Sequence, residues 1–487
     1  MKTSLRFTRS AFLCTVNALG MALMLCACTV GPDFVRPATR SSQHYDPQAE
    51  QQSAGGQFEM GKRINGHWWS AFRSPKLDEV MRQAIDGNLE LVAADATIRQ
   101  AAASVAAAEG AFYPQVNIGA TAGRQRTHTA SEPSVSNVYA IGPRVAFDLD
   151  MFGGLERAVE GQQAFADLQK HRYEAAYLTL TGDVTQQALL LASANAQIRA
   201  VQTLLSNDAK NLELVRRAHQ SGTTTRIDVS LAETRLAQDR TLLPPLAQQR
   251  DAARHALSIL AGKGPADWIA PDFVLDDFAS PSSIPVSLPS ETARTRPDIL
   301  QAEAELHMAS AAVGVATASL YPHVELSASL TQAASGNGGA ALWGLAAGMT
   351  APIFNGGALK AERQAAVDGY NAALARYQHT VVSSFGQIAD TLQAINHGAE
   401  QNAAQDDALR AADTSLQLNQ QAYAQGENSI LQVLEAERAY EQALLGQIRV
   451  QTARYLDVVQ LFVALGGNDA GVIVPNVATI RTDSLPL

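Results

Sequence analysis

The clearest pattern of apolar and polar positions lies in residues 412–467. Apolar side chains recur there at mixed three- and four-residue steps, at Ile430, Val433, Leu434, Tyr440, Leu444, Ile448, Tyr455, Val458, Phe462 and Leu465. This spacing predicts a helix with one apolar seam. Gly426 can take the left-handed conformation that closes the preceding helix, and Ser429 is a residue type that begins a helix. The stretch is therefore predicted to be a helix, a tight turn and a second helix.

The same unit occurs earlier in the chain, which indicates an internal duplication. Paired landmarks in the two copies are 203 to 208 residues apart and keep the same order. The pairs are Tyr113-Pro114 with Tyr321-Pro322, Gly154 with Gly357, Gly222 with Gly426, and Gly262 with Gly466. This period is too long for a solenoid repeat. We therefore predict a first structural repeat over residues 77–290 and a second over residues 291–467.

Each copy contains two segments in which apolar and polar residues alternate, which predicts β-strands. They lie at about residues 114–126 and 137–149 in the first copy, and 322–334 and 341–354 in the second. Their length suits strands that cross a bilayer with a tilt, and aromatic residues such as Tyr113 and Phe354 lie at their ends. The alternative is two soluble hairpins, each with one buried face. Because open strand edges are not tolerated in lipid, spanning strands would require the chain to oligomerise.

The predicted helices come in two lengths. The segments Leu155–His219 and Leu359–Tyr423 have 65 residues each, which corresponds to about 100 Å of helix. Leu77–Ala111 and Arg226–Leu260 have 35 residues each, so that two of them stacked end to end match one long helix. Each copy is therefore predicted to place a long helix beside two short ones, with the glycine turns at the end away from the strands. Pro244-Pro245 predicts a kink.

The N-terminus has the pattern of a signal peptide over residues 1–27, with three basic residues followed by an apolar run. It ends in Leu25-Cys26-Ala27-Cys28, which resembles the lipobox of bacterial lipoproteins and predicts a covalent lipid on Cys28 as the only attached group. The alternative is ordinary cleavage near Ala27 that leaves a free thiol. Thr29, in the position that follows, favours the outer membrane by the same resemblance.

Residues 28–76 are predicted to form a lipid-anchored tether and a packing clamp at Trp68-Trp69, and residues 468–487 a C-terminal belt.

The formal charge is −10, and it becomes −13 when the three basic residues of the signal are removed, which argues against a nucleic-acid partner. No apolar run of about 18 residues follows the signal. The histidines lack ligand spacing, and no catalytic motif occurs, so that neither an enzyme nor a metal site is predicted.

Several motifs together resemble the TolC-type outer membrane factors, in particular the lipoprotein branch of OprM and NodT-like proteins. The motifs are Cys28 followed by 30–37, the clamp at 68–72, Tyr113-Pro114, the segment 147–154, the segment 242–246, Arg296-Pro297-Asp298-Ile299 and both glycine turns. The resemblance implies a trimer with an α-barrel and a 12-stranded β-barrel to which each chain gives four strands. It also implies an outer-membrane channel that extends into the periplasm, docks on a periplasmic adaptor and an inner-membrane transporter, and exports drugs or small toxic compounds.

The same resemblance assigns roles to residues near the two turns. The residues expected to dock the adaptor are Gly222, Thr223, Ile227, Asp228, Gly426, Ser429, Leu431 and Val433. Asp413 is the candidate for an acidic ring that closes the periplasmic end, and its alternative is a solvated helix face. The segment between Asp413 and Gly426 lacks the arginine expected of a charged latch.

A function from another class also fits part of the pattern. Long helical hairpins anchored by a lipid could form a periplasmic scaffold lipoprotein without a pore. The alternating strands with aromatic ends favour the channel over this scaffold.

Overall fold

The structure is a computed structural model, and it describes residues 29–38, 43–52, 58–64, 66–127, 134–281, 283–335 and 338–467. The predicted signal peptide, the predicted lipidation site at Cys28 and the predicted C-terminal belt at 468–487 lie outside the described residues. The helices are α1 (Pro47–Gln52), α2 (Pro75–Gly87), α3 (Leu89–Glu109), α4 (Gly154–Gln220), α5 (Arg226–Arg240), α6 (Leu243–Leu260), α7 (Pro289–Thr295), α8 (Pro297–Ala318), α9 (Ala358–Ala424) and α10 (Ile430–Ala464). The strands are β1 (Phe58–Met60), β2 (Gln115–Thr127), β3 (Ser134–Leu149), β4 (Ile284–Val286), β5 (His323–Ser335) and β6 (Gly338–Thr350).

Four long strands form one antiparallel sheet in the order β2-β3-β5-β6. The central pairing of β3 with β5 joins the two copies, while β2 and β6 are the sheet's outer strands. The observed strands lie within four residues of the predicted bounds. The largest difference is at the end of β6, which stops at Thr350 because its partner β5 begins only at His323, after Pro322.

The register of the sheet separates apolar from polar side chains. Residues directly opposite each other in an antiparallel pair project to the same face. One face therefore carries Val116, Ile118, Tyr139, Ile141, Val145, Phe147, Leu326, Leu330, Trp343, Leu345 and Met349. The other face carries Asn117, Thr121, Arg144, Asp148, Glu325, Ser327 and Ser329. Within one protomer the apolar face is open, and the side chain of Leu345 is 76% exposed.

The two long helices have 67 residues each, two more than predicted. The predicted first helix, Leu77–Ala111, is wrong as a single helix, because the chain breaks at Asn88 into α2 and α3. Asn88 is extended, and its side-chain oxygen accepts from the amides of Glu90 at 2.9 Å and Leu91 at 3.0 Å. Its side-chain nitrogen donates to the carbonyl of Leu260 at 3.0 Å. A hydrogen bond to the end of α6 therefore replaces helix continuity at this point.

The second copy has the same break with different chemistry. Arg296 lies between α7 and α8, and its buried guanidinium donates to the carbonyls of Ala464 at 2.5 Å and Ser384 at 3.3 Å. Asn88 and Arg296 therefore both tie a helix break to the C-terminal end of a helix that returns from the tip. We call these two contacts the helix-break joints.

Pro244-Pro245 has a stronger effect than the predicted kink. Helix α5 ends at Arg240, a turn follows at Thr241 and Leu242, and α6 starts at Leu243 with a proline in its first turn. Proline suits a helix start because it has no amide hydrogen to donate. The corresponding helix of the second copy, α10, is continuous over 35 residues.

The largest hydrophobic core surrounds the predicted packing clamp. Trp68 packs against Phe462 with ring centroids 5.4 Å apart, and Phe72 packs against Tyr455 at 6.1 Å. The Tyr455 hydroxyl donates to the carbonyl of Phe278 at 3.0 Å, which ties the segment between the copies to α10. In that segment β4 pairs in parallel with β1. None of the helices in the described part of the chain is long and apolar enough to cross a membrane.

The first helix-break joint provides a test of the fold. Gly262 has φ +69°, and a Cβ placed there would lie 1.9 Å from the carbonyl oxygen of Gly87. We expect Gly262→Ala to destabilise the protein by about 2 kcal/mol or more, because the clash involves backbone and the conformation is left-handed. Gly386→Ala is the matched control, since a Cβ there meets open space within a helix. Thermal unfolding of the purified proteins measures the difference, and equal melting temperatures for the two variants would contradict it.

Candidate functional site

The candidate site consists of the two tip turns, Ser221–Thr225 and Gln425–Ser429, at the ends of α4 and α9. In the first turn Gly222 has φ +77°, a left-handed conformation that glycine adopts without strain. The amide of Thr223 donates to the carbonyl of Ala218 at 2.9 Å, and its hydroxyl donates to the same carbonyl at 2.8 Å. These bonds close the C-terminal end of α4 and reverse the chain.

A capping box starts the helix that follows the first turn. The amide of Asp228 donates to the hydroxyl of Thr225 at 3.3 Å, and the amide of Thr225 donates to the carboxylate of Asp228 at 2.8 Å. These hydrogen bonds, first of all that from the backbone of Thr225, hold the pKa of Asp228 below its usual value. The carboxylate therefore favours the cap at neutral pH, and this contribution is lost as the pH falls through the folded-state pKa.

The second turn repeats the geometry of the first. Gly426 has φ +76°, and the amide of Glu427 donates to the carbonyl of Ala422 at 2.9 Å. The side chain of Asn428 donates to Asn419 at 2.6 Å, which holds the turn against the end of α9. Both glycines therefore adopt the left-handed turn conformation that the sequence predicts.

A small hydrophobic cluster packs the two turns against each other. We call it the tip cluster, and its buried members are Leu212, Val215, Val229, Ala232, Leu236, Ile430 and Val433. Val433 is only 4% exposed. It was predicted as a docking residue, but in the protomer it lies inside this cluster and supports the tip from within.

The other predicted docking residues lie at or near the surface of the tip. Ile227 is 71% exposed and Leu431 is 40% exposed, although both are large apolar side chains. Space is open around Gly222 and Gly426, where an added Cβ would meet no atom within 4 Å. The arrangement offers a partner two apolar side chains among polar backbone turns, which suits binding. No group of acidic, histidine or cysteine side chains in the described segments is arranged to hold a metal ion.

The gate candidate Asp413 lies on α9, 13 residues before Gly426, which is about 20 Å along the helix. Its carboxylate is partly exposed and accepts from the side chain of Gln417 at 2.8 Å, one turn further along the same helix. Asp413 and the docking residues are therefore at different heights of the hairpin.

A contact that the sequence reasoning missed fixes the N-terminal segment. Residues 29–36 were expected to belong to a tether, but they dock on α4 and α8. The guanidinium of Arg157, buried on α4, donates to Asp33 at 2.6 Å, and the amide of Val30 donates to the carbonyl of Phe152 at 3.1 Å. Gly31, with φ +97°, lies against Gly314 so closely that a Cβ would be 2.6 Å from it. The motif Val30-Gly31-Pro32-Asp33 was the signal that could have revealed this docking.

Comparison with known proteins finds outer-membrane proteins both by sequence and by structure. The model of a family described as outer membrane efflux protein matches residues 80–263 and 288–467, one match for each copy. The chain is 31% identical over 417 residues to the pyoverdine export outer membrane protein OpmQ of Pseudomonas aeruginosa, and the match covers 82% of this chain and 87% of that protein. It is 26% identical over 458 residues to nodulation protein T of Rhizobium leguminosarum bv. trifolii, covering 92% and 96%. The solved structure of the outer-membrane channel OprN superposes with a TM-score of 0.84 at 26% identity, covering 91% and 99%.

The capping box of the first tip turn can be tested directly. We expect Thr225→Ala to destabilise the start of α5 by about 1 kcal/mol, because the amide of Asp228 loses its acceptor. Hydrogen exchange of the first turn of α5 measures the effect. Thr234→Ala is the matched control on the same helix, since that hydroxyl only bonds to the carbonyl of Ser230 one turn earlier. Equal loss of protection in both variants would contradict the assignment.

Proposed function

Because the chain belongs to the outer membrane efflux protein family, we propose that three copies of it form the outer membrane channel of a tripartite efflux pump. Family membership confirms the resemblance inferred from the motifs, together with the outer membrane location, the efflux function and the duplicated, mostly helical fold. The homotrimer, the periplasmic adaptor and the inner-membrane transporter are inferred from the family. We infer drugs or other small toxic compounds as the exported class.

The single observation that carries the proposal is the division of the four-stranded sheet into an apolar and a polar face. An open apolar face of this size is typical of a surface that lipid or another protein covers. The polar face carries charges, such as Arg144 and Glu325, that favour water. Three protomers with four strands each would close the edges of β2 and β6 into one 12-stranded sheet, with lipid outside and water inside. A scaffold without a pore would leave the apolar face uncovered.

The docked N-terminal segment supports the proposal of a lipid on Cys28. Thr29, the next residue, lies against Gly153, where an added Cβ would be 2.5 Å from its side chain. Gly153 follows β3 by four residues, so that acyl chains on Cys28 would start level with the end of the sheet. They would enter the same membrane that the strands span.

The tip turns are the proposed docking surface for the adaptor. Their exposed apolar side chains, Ile227 and Leu431, lie at the end of the molecule away from the sheet. Asp413 is the proposed gate residue, because a threefold copy of it would place three carboxylates around one axis and favour cations there. The partial exposure of Asp413 supports this role.

Two neighbouring residues of β6 provide the experiment that tests the channel. Leu345 is on the apolar face and Ala346 is on the polar face. We expect Leu345→Arg to impair insertion, since an arginine on the lipid face near the bilayer midplane costs about 2–4 kcal/mol. Ala346→Arg should insert normally and change the ion selectivity. Single-channel recording in planar bilayers measures both, and normal insertion of Leu345→Arg would show that this face does not meet lipid.

The lipid is tested separately by mass spectrometry of the purified N-terminus. We expect a diacylated Cys28, and we expect Cys28→Ser to lose the acyl mass while the protein still forms pores, because the strands supply the membrane contact. An unmodified N-terminus at another residue would exclude the lipid without affecting the channel.

A further inference from the structure

Asp208, on α4 just above the tip cluster, is buried without a hydrogen-bond donor among the described residues. It lies on α4, is 2% exposed, and both of its carboxylate oxygens lack a hydrogen-bond donor in the described part of the chain. An ionised carboxylate in such a place is costly, because it has lost water and gained no donor. Asp208 faces Asp239 of α5, whose side chain is within hydrogen-bond reach.

The other charged groups around Asp208 are already engaged with each other. Arg235 of α5 pairs with Asp239, with 2.7 Å between its Nε and the Oδ2 of that residue. The same guanidinium pairs with Glu441 of α10. Glu437, also on α10, accepts from the side chain of Asn211 at 2.7 Å. We call this set of residues on α4, α5 and α10 the carboxylate joint.

The charges of the carboxylate joint do not balance when all its groups are ionised. Four buried carboxylates, those of Asp208, Asp239, Glu437 and Glu441, share the guanidinium of Arg235, and the exposed Arg438 adds a second positive charge near Glu441. At least two negative charges would therefore lie in a low-dielectric interior without compensation. A proton on Asp208 removes one of them and also creates the donor that the Asp208–Asp239 contact lacks.

We propose that Asp208 binds a proton that fastens α4, α5 and α10 together, so that the carboxylate joint is a pH-sensitive fastening between the two helical hairpins. With the proton in place, Asp208 donates to Asp239 and the three helices stay packed. Without it, Asp208 repels Asp239 on α5 and Glu437 on α10, and the helices separate locally above the tip cluster.

The raised pKa of Asp208 determines how opening of the joint depends on pH. Burial, then the hydrogen bond and charge of Asp239, then the charge of Glu437, raise the pKa of Asp208 to about 8, against the opposing charge of Arg235. At a pH between the ordinary aspartate pKa and about 8, Asp208 is protonated in the folded joint and ionised in the opened joint. The joint is therefore tightest at acidic pH and opens more as the pH rises, by up to about tenfold per pH unit for one proton. Above the folded-state pKa the opening becomes independent of pH.

The proposal concerns contacts inside one protomer. It holds whether or not the tips bind an adaptor, so that its failure would leave the channel function untouched. Conversely, if the pore experiment failed, the pH dependence of the carboxylate joint in the helical hairpins would still hold.

Hydrogen exchange of the full-length protein tests the joint. Opening of the amides around Glu437, corrected for intrinsic exchange, is measured from pH 6 to pH 9 with and without a chelator. The wild-type protein should open progressively more up to about pH 8. Asp208→Asn, which keeps the shape and supplies a neutral donor, should open equally at every pH and less than the wild type at pH 9.

Asp457→Asn is the matched control. Burial raises the pKa of this α10 carboxyl as well, but it lies 20 residues beyond Glu437. It should leave the pH response of the joint unchanged. The proposal is overturned if wild-type opening is constant across the range, if Asp208→Asn keeps the response, or if the chelator abolishes it, because a metal ion would then be the ligand. Should Asp208→Asn fail to fold, infrared difference spectra of the wild type between pH 6 and pH 9 must contain the loss of a protonated carboxyl band, and the absence of that band overturns the proposal.

Discussion

The antiparallel pairing of β3 with β5 is the contact on which the rest of the protomer depends. It joins the two copies in one sheet, and its register, with Val145 opposite Ala328, aligns the apolar positions of all four strands on one face. A slip of one residue would move those side chains to the polar face. The long helices α4 and α9 leave the same end of this sheet, and each packs against α8 and α10. In the tip cluster the far end of α4 meets the first turns of α5 and α10.

The two copies form the same helix break with different residues. A long helix must lie beside two stacked shorter ones, and the break between the short helices leaves backbone groups without helical partners. Asn88 satisfies them in the first copy and reaches the end of α6, whereas Arg296 reaches the end of α10 in the second. Prolines end one of the returning helices early, and the other is continuous. The two copies thus share the order of their elements but differ in helix continuity and in the residues at the helix breaks.

The interior changes character from the sheet towards the tips. Near the clamp it is a large aromatic core, with Trp68, Phe72 and Phe462 among its members. Towards the tips it becomes small aliphatic clusters separated by the carboxylate joint. Burial of charge contributes less stability than burial of apolar surface, because desolvation offsets the attraction. The wall is therefore easiest to open in the region next to the proposed docking surface.

The sequence by itself determined the features that depend on local spacing and backbone conformation. Periodicity and residue type predict the duplication and the two long helices. They also predict the ends of the four long strands to within four residues, and the left-handed turns at Gly222 and Gly426. Only the tertiary structure decided the break at Asn88, because the acceptor that makes it favourable is a carbonyl 172 residues away. It also decided that Val433 is buried while Leu431 is exposed, and that Asp208 meets residues of two other helices. These outcomes depend on which distant groups become neighbours, and local spacing carries no information about that.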